Sequence, residues 1–225
     1  SLGCLSGYNA TGSNSVFIGY ESGFNATGSS GVFIGYESGF NATGSNNVLM
    51  GYRAGYATTG TSDVFVGYQA GRFSTSSNYT TGVGAYALYN NTTGIDNNAF
   101  GNNSLYFNTS GEKNVAIGSS AMQDNRTGIN NTAVGVSALR QKRYSNNVGV
   151  GWHAGRNGQD GQDNVFVGSE AGKNTTGSYN TFVGRTSGLN NTANHNTIIG
   201  YETGYDNTSG TYNISLGGYT LNDIT

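Results

Sequence analysis

Short apolar runs recur at a nearly constant interval along the whole chain. Val16, Phe17 and Ile18 precede Gly19, and a nearly identical segment returns 16 residues later. We call the glycine that follows each run the anchor. The anchors are 16 or 17 residues apart and lie at Gly3, Gly19, Gly35, Gly51, Gly67, Gly84, Gly101, Gly118, Gly135, Gly151, Gly168, Gly184, Gly200 and Gly217. Such regular repetition predicts stacked structural units.

The residues before each anchor predict a short β-strand. The position directly before the anchor is always large and apolar, and Val or Thr usually stands two residues earlier. Alternate β-branched residues favour one face of a strand, whereas the frequent glycines disfavour helix. We therefore predict an all-β fold. About 14 coils of 16 or 17 residues would form a single repetitive parallel β-roll, or β-solenoid, over residues 1–225.

Both faces of each predicted strand are apolar, so two buried surfaces are needed. To the core of the coil we assign Ile18, Ile34, Met50, Val66, Ile117, Val134, Val167, Val183 and Ile199. To packing between chains we assign Phe17, Phe33, Leu49, Phe65, Leu88, Leu105, Leu139, Phe166 and Phe182. A slender solenoid cannot cover the second face alone, so we expect a bundle, most simply a homotrimer. A single chain with an exposed aromatic ladder is the alternative.

Two positions of the repeat compensate each other in volume. Where the residue two before the anchor is large, as at Phe17, the residue four after it is glycine, as at Gly23; where the first is small, the second is large. Close-packed interiors conserve volume, which predicts that the two positions share one pocket. Two repeats depart from this rule: the first one, and the one with Gly149 and Gly155, where Trp152 is the candidate to fill the space.

Composition narrows the possible classes of function. The chain has 38 glycines, no proline, 10% charged residues and a net charge of −2, which gives no basic surface for nucleic acid or acidic membrane. No apolar run is long enough to span a bilayer. The single cysteine, Cys4, cannot form a disulfide within the chain. Because the chain begins and ends within a repeat, we interpret it as a piece of a longer fibre protein.

Neither catalysis nor a bound cofactor is predicted. The acidic residues lie in different registers without a distinguished pair, and His153 and His195 stand alone. Asp160 and Asp163 offer oxygen ligands for calcium, but they lack the spacing of calcium-binding β-rolls. We therefore expect no enzyme activity, no cofactor and no metal site.

One charge cluster is the main candidate for contact with a ligand. Arg140, Lys142 and Arg143 lie together in a turn, which is either simply solvated or contacts an acidic glycan or protein. Trp152 completes this set of candidate contacts. Asn-Xaa-Ser/Thr sequences also recur in the turns. They follow from the composition of the turns, or they would be glycosylated in a eukaryotic host.

Several repeats resemble a known family. Residues 114–121 read Asn-Val-Ala-Ile-Gly-Ser-Ser-Ala, which resembles the head repeat of YadA-type trimeric autotransporter adhesins. The longer turns and the tyrosine after several anchors, as at Tyr20, are similar to repeat arrays in fibres of tailed phages and some large DNA viruses. The resemblance implies a left-handed parallel β-roll, an intertwined homotrimer and an extracellular place on a cell-surface appendage or virion. It implies a host glycan or protein as the partner.

Two functions are consistent with these patterns. The first is a structural and adhesive segment of an extracellular trimeric fibre that presents a receptor-binding surface. The alternative is a monomeric β-solenoid that binds ice or a crystalline or polymeric carbohydrate through an outward threonine ladder. The recurring threonines are Thr11, Thr27, Thr43, Thr59, Thr93, Thr127 and Thr176. Oligomeric state tests the first function, and thermal hysteresis tests the second.

Overall fold

The chain forms stacked β-coils in two compact units that divide between Asn114 and Val115. The computed structural model describes residues 2–141, 143–158 and 160–221. The first unit contains β1 (Val16–Ile18), β2 (Val32–Ile34), β3 (Val48–Met50), β4 (Val64–Val66), β5 (Thr81–Val83) and β6 (Asn98–Phe100). The second contains β7 (Val115–Ile117), β8 (Thr132–Val134), β9 (Val148–Val150), β10 (Val165–Val167), β11 (Thr181–Val183), β12 (Thr197–Ile199) and β13 (Ile214–Leu216). No helix occurs within the described ranges, so the predicted all-β class is confirmed.

Within each unit, consecutive strands pair in parallel and in register. Phe17 of β1 lies opposite Phe33 of β2 in the first unit, and Phe166 of β10 lies opposite Phe182 of β11 in the second. The register is therefore one repeat, and each strand ends directly before an anchor glycine, as predicted. The predicted β-solenoid and its tandem repeats are confirmed.

The anchor glycines allow neighbouring coils to approach closely. Gly19 has a φ angle of 128°, a backbone conformation that favours glycine. A β-carbon built on Gly19 would lie only 2.5 Å from the carbonyl oxygen of Gly35 in the next coil. Any side chain at this position would therefore separate the coils, which explains why glycine recurs there.

The interior of each coil is filled by the residues that were predicted to pack between chains. Phe17, Phe33, Leu49, Phe65, Leu88, Leu105, Leu139, Phe166 and Phe182 are buried within a single chain. Their assignment to interchain packing is wrong. The predicted core residues Ile18, Ile34, Met50, Val66, Ile117, Val134, Val167, Val183 and Ile199 are instead half-buried or exposed, and Ile117 is 42% exposed. The two faces of the strand are therefore reversed relative to the prediction.

The pocket shared by the two compensating positions is present. A β-carbon built on Gly39 would lie 2.7 Å from the ring of Phe33, so the glycine makes room for the ring. This part of the prediction is confirmed. In the departing repeat, the space beside Gly155 is filled by Leu139 and Phe166 from the neighbouring coils. Trp152 is 49% exposed, and its predicted role as the filler is wrong.

A row of mostly polar residues runs along the coils of each unit, four residues before the anchors. We call it the asparagine ladder; from the third strand on it consists of Asn47, Asp63, Thr80, Asn97 and Asn114 in the first unit, and of Asn131, Asn147, Asn164, Asn180, Asn196 and Asn213 in the second. The backbone N–H of Asn180 donates to Oδ1 of Asn164 at 2.9 Å, and Nδ2 of Asn164 donates to the carbonyl oxygen of Gly177 at 3.0 Å. The ladder thus satisfies backbone groups that the coil buries.

Asp63 occupies one rung of the asparagine ladder and is fully buried. Its Oδ1 accepts a hydrogen bond from the backbone N–H of Thr80 at 3.0 Å, and its Oδ2 accepts one from Oγ of Ser77 at 2.9 Å. Burial raises the pKa of Asp63 to about 7, although both hydrogen bonds act to lower it. The ionised carboxylate is therefore costly at neutral pH, because no cation within the described residues forms an ion pair with it.

Candidate functional site

In-register coils turn each outward position of the repeat into a column of side chains. Residues 16 or 17 apart along the chain become neighbours at the inter-strand spacing of roughly 4.8 Å. The surface formed by the described residues contains no pocket. Candidate binding surfaces are therefore flat columns rather than a cleft.

The first and last residues of the strands form an outer stripe on each unit; the last residues are all large and apolar, whereas the first are Val, Ile, Thr or Asn. In every strand the middle residue is buried and its two neighbours are half-buried or exposed, as in β1 and β7. Ile18 and Val16 are exposed in the first unit, and Ile117 and Ile199 are exposed in the second. An exposed row of apolar side chains, such as the last residues of the strands, marks an interaction surface in soluble proteins.

Two columns of stacked aromatic rings lie beside each other on the first unit. The tyrosine ladder consists of Tyr20, Tyr36, Tyr52 and Tyr68, with ring centroids 5.1 to 5.2 Å apart. A second ladder consists of Tyr8, Phe24, Phe40 and Tyr56, with centroids 5.0 to 5.3 Å apart. The guanidinium carbon of Arg53 lies 5.2 Å from the Tyr52 centroid and 5.9 Å from that of Tyr56, so it lies between the two ladders. Arg53 also pairs with Glu37 at 2.6 Å.

The second unit carries cations where the first carries the second aromatic ladder. Arg140, Arg156 and Lys173 stand five residues after successive anchors, and we call them the cation column. Their register is fixed by the backbone: the N–H of Gln141 donates to the carbonyl oxygen of Arg156 at 2.9 Å, and the N–H of Asn157 donates to that of Lys173 at 2.7 Å. The coil therefore places Arg140 next to cations that are distant in sequence.

The predicted ligand contacts separate in the structure. Arg140 belongs to the cation column and lies 3.9 Å from Asp124. Arg143 is exposed, and Lys142 lies outside the described residues. Trp152 is exposed, and its ring stacks on that of His153 with centroids 3.6 Å apart.

The charges beside the cation column are unevenly matched. Glu170 lies 2.6 Å from Nζ of Lys173 and 3.9 Å from Nδ1 of His153. The hydrogen bond from Lys173 lowers the pKa of Glu170, which keeps this carboxylate ionised. Burial, followed by the nearby charges of Arg156 and Lys173, lowers the pKa of His153, so its imidazole is neutral at physiological pH. Glu170 is thus the acidic neighbour of both Lys173 and His153.

Many Asn-Xaa-Ser/Thr sequences belong to the turn chemistry of the coil. Nδ2 of the buried Asn108 donates to the carbonyl oxygen of Gly111 at 3.0 Å, and Asn207 makes the same bond to Gly210 at 2.8 Å. These side chains close an Asn-Xaa-Xaa-Gly turn, in line with the preference of asparagine for such positions. Their burial leaves no room for a glycan at Asn108 or Asn207.

The remaining sequence candidates stay apart. No cluster of three potential metal ligands occurs among the residues that the structure describes, which include Asp160 and Asp163. Cys4 is an exposed free thiol. Throughout the described chain there is no helix with the length and apolarity that a membrane crossing requires. The threonines named for the alternative function are all exposed, and a coil contributes no more than one of them.

The cation column was missed from the sequence, although its signal was present there. Arg140, Arg156 and Lys173 are separated by 16 and 17 residues, which is the repeat length itself. The charge cluster predicted from the sequence joins Arg140 to its neighbours along the chain, whereas its neighbours in the structure lie in adjacent coils. Comparisons with known protein families, with curated proteins and with solved structures found no match to this chain.

Proposed function

We propose that this chain is a structural and adhesive segment of an extracellular fibre, in which three copies pack their outer stripes around a common axis. The observation that carries the proposal is the exposure of the outer stripe in both units. Burial of apolar surface is favourable by roughly 25 cal/mol per Å². A stripe that continues over many coils accumulates this gain with every coil. The resemblance to YadA-type repeats supports the same trimeric, left-handed arrangement.

The adhesive part of the proposal concerns the faces that such packing leaves in solvent. The aromatic ladders of the first unit and the cation column of the second lie outside the outer stripe. Small-molecule sites are usually concave, whereas a flat surface suits a polymer or a protein. A host glycan or protein on a cell surface is therefore the partner that we propose, with the fibre belonging to a bacterial surface or a virion.

Replacement of Ile117 by aspartate tests the packing of the outer stripe. Ile117 is exposed in the single chain, so the variant should fold with an unchanged circular dichroism spectrum. In the proposed trimer the change places three carboxylates near the axis, where burial of unpaired charge is costly. We expect the wild-type chain to sediment as a trimer, and the variant to need at least about tenfold higher concentration to assemble.

Thr127→Asp is the matched control, because Thr127 is exposed and lies outside the outer stripe. It should leave the sedimentation of the trimer unchanged. A wild-type chain that stays monomeric at all concentrations would refute the proposal. Unimpaired assembly of the Ile117→Asp variant would show that the outer stripe is not the interface.

One observation favours the second candidate, a solenoid that binds ice or a crystalline carbohydrate. Thr11, Thr27, Thr43 and Thr59 are exposed at the same position of successive coils. They form a column that is one residue wide, next to the turn glycines. Thermal hysteresis of the purified chain, abolished by Thr43→Lys, is the result that this candidate requires.

A further inference from the structure

We infer that the cation column binds a linear acidic polysaccharide that lies along the stacking direction of the second unit. The inference deepens the proposed adhesive function and rests on it for the biological setting, while the site itself is defined by one chain. The column covers three successive coils, at Arg140, Arg156 and Lys173. It ends where Gln123 and Leu189 occupy the same position of the preceding and following coils.

Stacking cations in one column of this fold is electrostatically unfavourable. Aromatic rings at the equivalent position of the first unit stack on each other, whereas like charges at the inter-coil spacing repel. Lys173 is paired with Glu170 at 2.6 Å, and Arg140 has only a long ion pair of 3.9 Å with Asp124. Arg156, at the centre, has no ion pair within the described ranges. The column therefore carries positive charge that an external anion would neutralise.

The two guanidinium groups also have unused hydrogen-bonding capacity. The Nε atoms of Arg140 and Arg156 are buried and have no hydrogen-bond partner in the described structure. A buried donor without an acceptor costs free energy. A carboxylate or sulfate group supplies two oxygens that match the fork of an arginine side chain. Because the Nε atoms are shielded from solvent, an anionic ligand would pair with the terminal NH groups of the half-buried Arg140 and Arg156.

The surroundings of the column suit a sugar chain. Gln141, Asn157 and Asn174 stand one residue beyond the cations, and Nδ2 of Asn157 donates to Oδ1 of Asn174 at 2.8 Å. This row of amides offers donors and acceptors for hydroxyl groups. The exposed indole of Trp152 lies on the coil of Arg156 and offers an apolar surface for a pyranose ring.

A polysaccharide fits the column better than a nucleic acid does. The coil spacing of roughly 4.8 Å is close to the length that one sugar residue adds to an extended chain, so successive acidic groups can meet successive cations. Single-stranded nucleic acid is usually bound by a series of aromatic side chains on which bases stack. Among the described residues beside the cation column, the indole of Trp152 would have to provide this stacking without a series of further rings. The net charge of −2 also disfavours binding of nucleic acid.

Binding can be followed through Trp152, because it is the one tryptophan of the chain. The probes are a hexamer of galacturonic acid, a heparin-derived hexasaccharide, neutral maltohexaose and a single-stranded oligonucleotide of six nucleotides. We expect at least one acidic hexasaccharide to change the fluorescence saturably, with an affinity that falls as salt rises. Maltohexaose and the oligonucleotide should bind at least tenfold more weakly.

Arg156→Gln should lower the affinity for the acidic hexasaccharide at least tenfold, and Arg156→Lys should restore part of it. Arg72→Gln is the matched control, because Arg72 stands at the same position of a coil in the first unit. It should bind as the wild-type chain does. Circular dichroism establishes that each variant is folded.

Three outcomes would overturn the inference: no binding of either acidic hexasaccharide, unchanged binding by the folded Arg156→Gln variant, or tighter binding of the oligonucleotide. Sedimentation of the same samples separates this inference from the proposed fibre. A monomer that binds the acidic hexasaccharide would refute the fibre and support the site. A trimer that fails to bind would refute the site and support the fibre.

Discussion

Replacement of Phe182 by alanine is expected to lower the free energy of unfolding by about 3–5 kcal/mol. The ring is fully buried, lies 5.7 Å from the ring of Phe166 between centroids and packs against the backbone of Gly188. Its removal leaves a cavity that the stack cannot close, because the hydrogen bonds of the parallel sheet fix the distance between coils. Urea denaturation followed by circular dichroism measures the loss.

Thr181→Ala provides the control for Phe182→Ala, because Thr181 is the preceding residue of β11 and belongs to the outer stripe. It should cost less than about 1 kcal/mol. A similar loss for both variants would contradict the assignment of Phe182 to the interior. The comparison thus tests directly which face of the strand is inside.

A second substitution at the shared pocket should recover part of the loss caused by Phe182→Ala. Gly188→Leu alone should destabilise strongly, since its side chain would collide with the Phe182 ring. In the double variant the leucine fills the space of the ring, as Leu139 does in the coil that carries Ala133. We expect a favourable coupling of about 1–3 kcal/mol between the two changes. Simple additivity would contradict a common pocket.

The Asp63→Asn variant is expected to be more stable than the wild-type chain by about 4 kcal/mol at pH 8. The pKa of Asp63 is about 7 in the folded chain and has an ordinary value of 3.8. The folded state therefore keeps a proton that the unfolded chain releases between these values. The contribution of Asp63 to stability is complete below pH 3.8 and is lost as the pH rises through about 7.

Urea denaturation of both chains between pH 4 and pH 8 measures the effect. The difference in unfolding free energy between Asp63→Asn and the wild type should be small near pH 4 and should grow with pH, because other titrating groups are common to both chains. Asn180→Asp is the reverse control and should introduce a similar pH-dependent loss. A difference that stays constant with pH would contradict the raised pKa of Asp63.

Much of the fold could be predicted because every repeat is subject to the same steric and packing constraints. The glycine at each anchor, the strand before it and the pairing of volume at Phe33 and Gly39 all follow from local sterics and close packing. Which face of the strand points into the coil could not be predicted in this way, because both faces carry apolar residues. The uniformly large and apolar position before the anchor is the one predicted to lie inside. The structure shows that the interior is the variable position, where a change in size is compensated across the pocket.

The buried polar row was harder to predict than the apolar interior. Asparagine recurs four residues before the anchors, but asparagine is also typical of exposed turns. In the folded chain Asn164 donates to and accepts from backbone groups of neighbouring coils, which no local sequence pattern indicates. The cation column was not predicted for a related reason. Its members become neighbours through the register of the coils, so the signal is their separation by one repeat and not a local motif around Arg140.

The one-repeat register also determines how such a chain can change its length. Residues 20–24 and residues 36–40 have the same sequence, so excision of residues 20–35 joins Gly19 directly to an equivalent Tyr36. The shortened chain keeps the pairing between successive coils, and Phe17 then lies opposite Leu49 instead of Phe33. Slippage in the encoding DNA would therefore add or remove whole coils. Natural variants should differ in length by multiples of one coil, and the surface residues of the remaining coils should be unchanged.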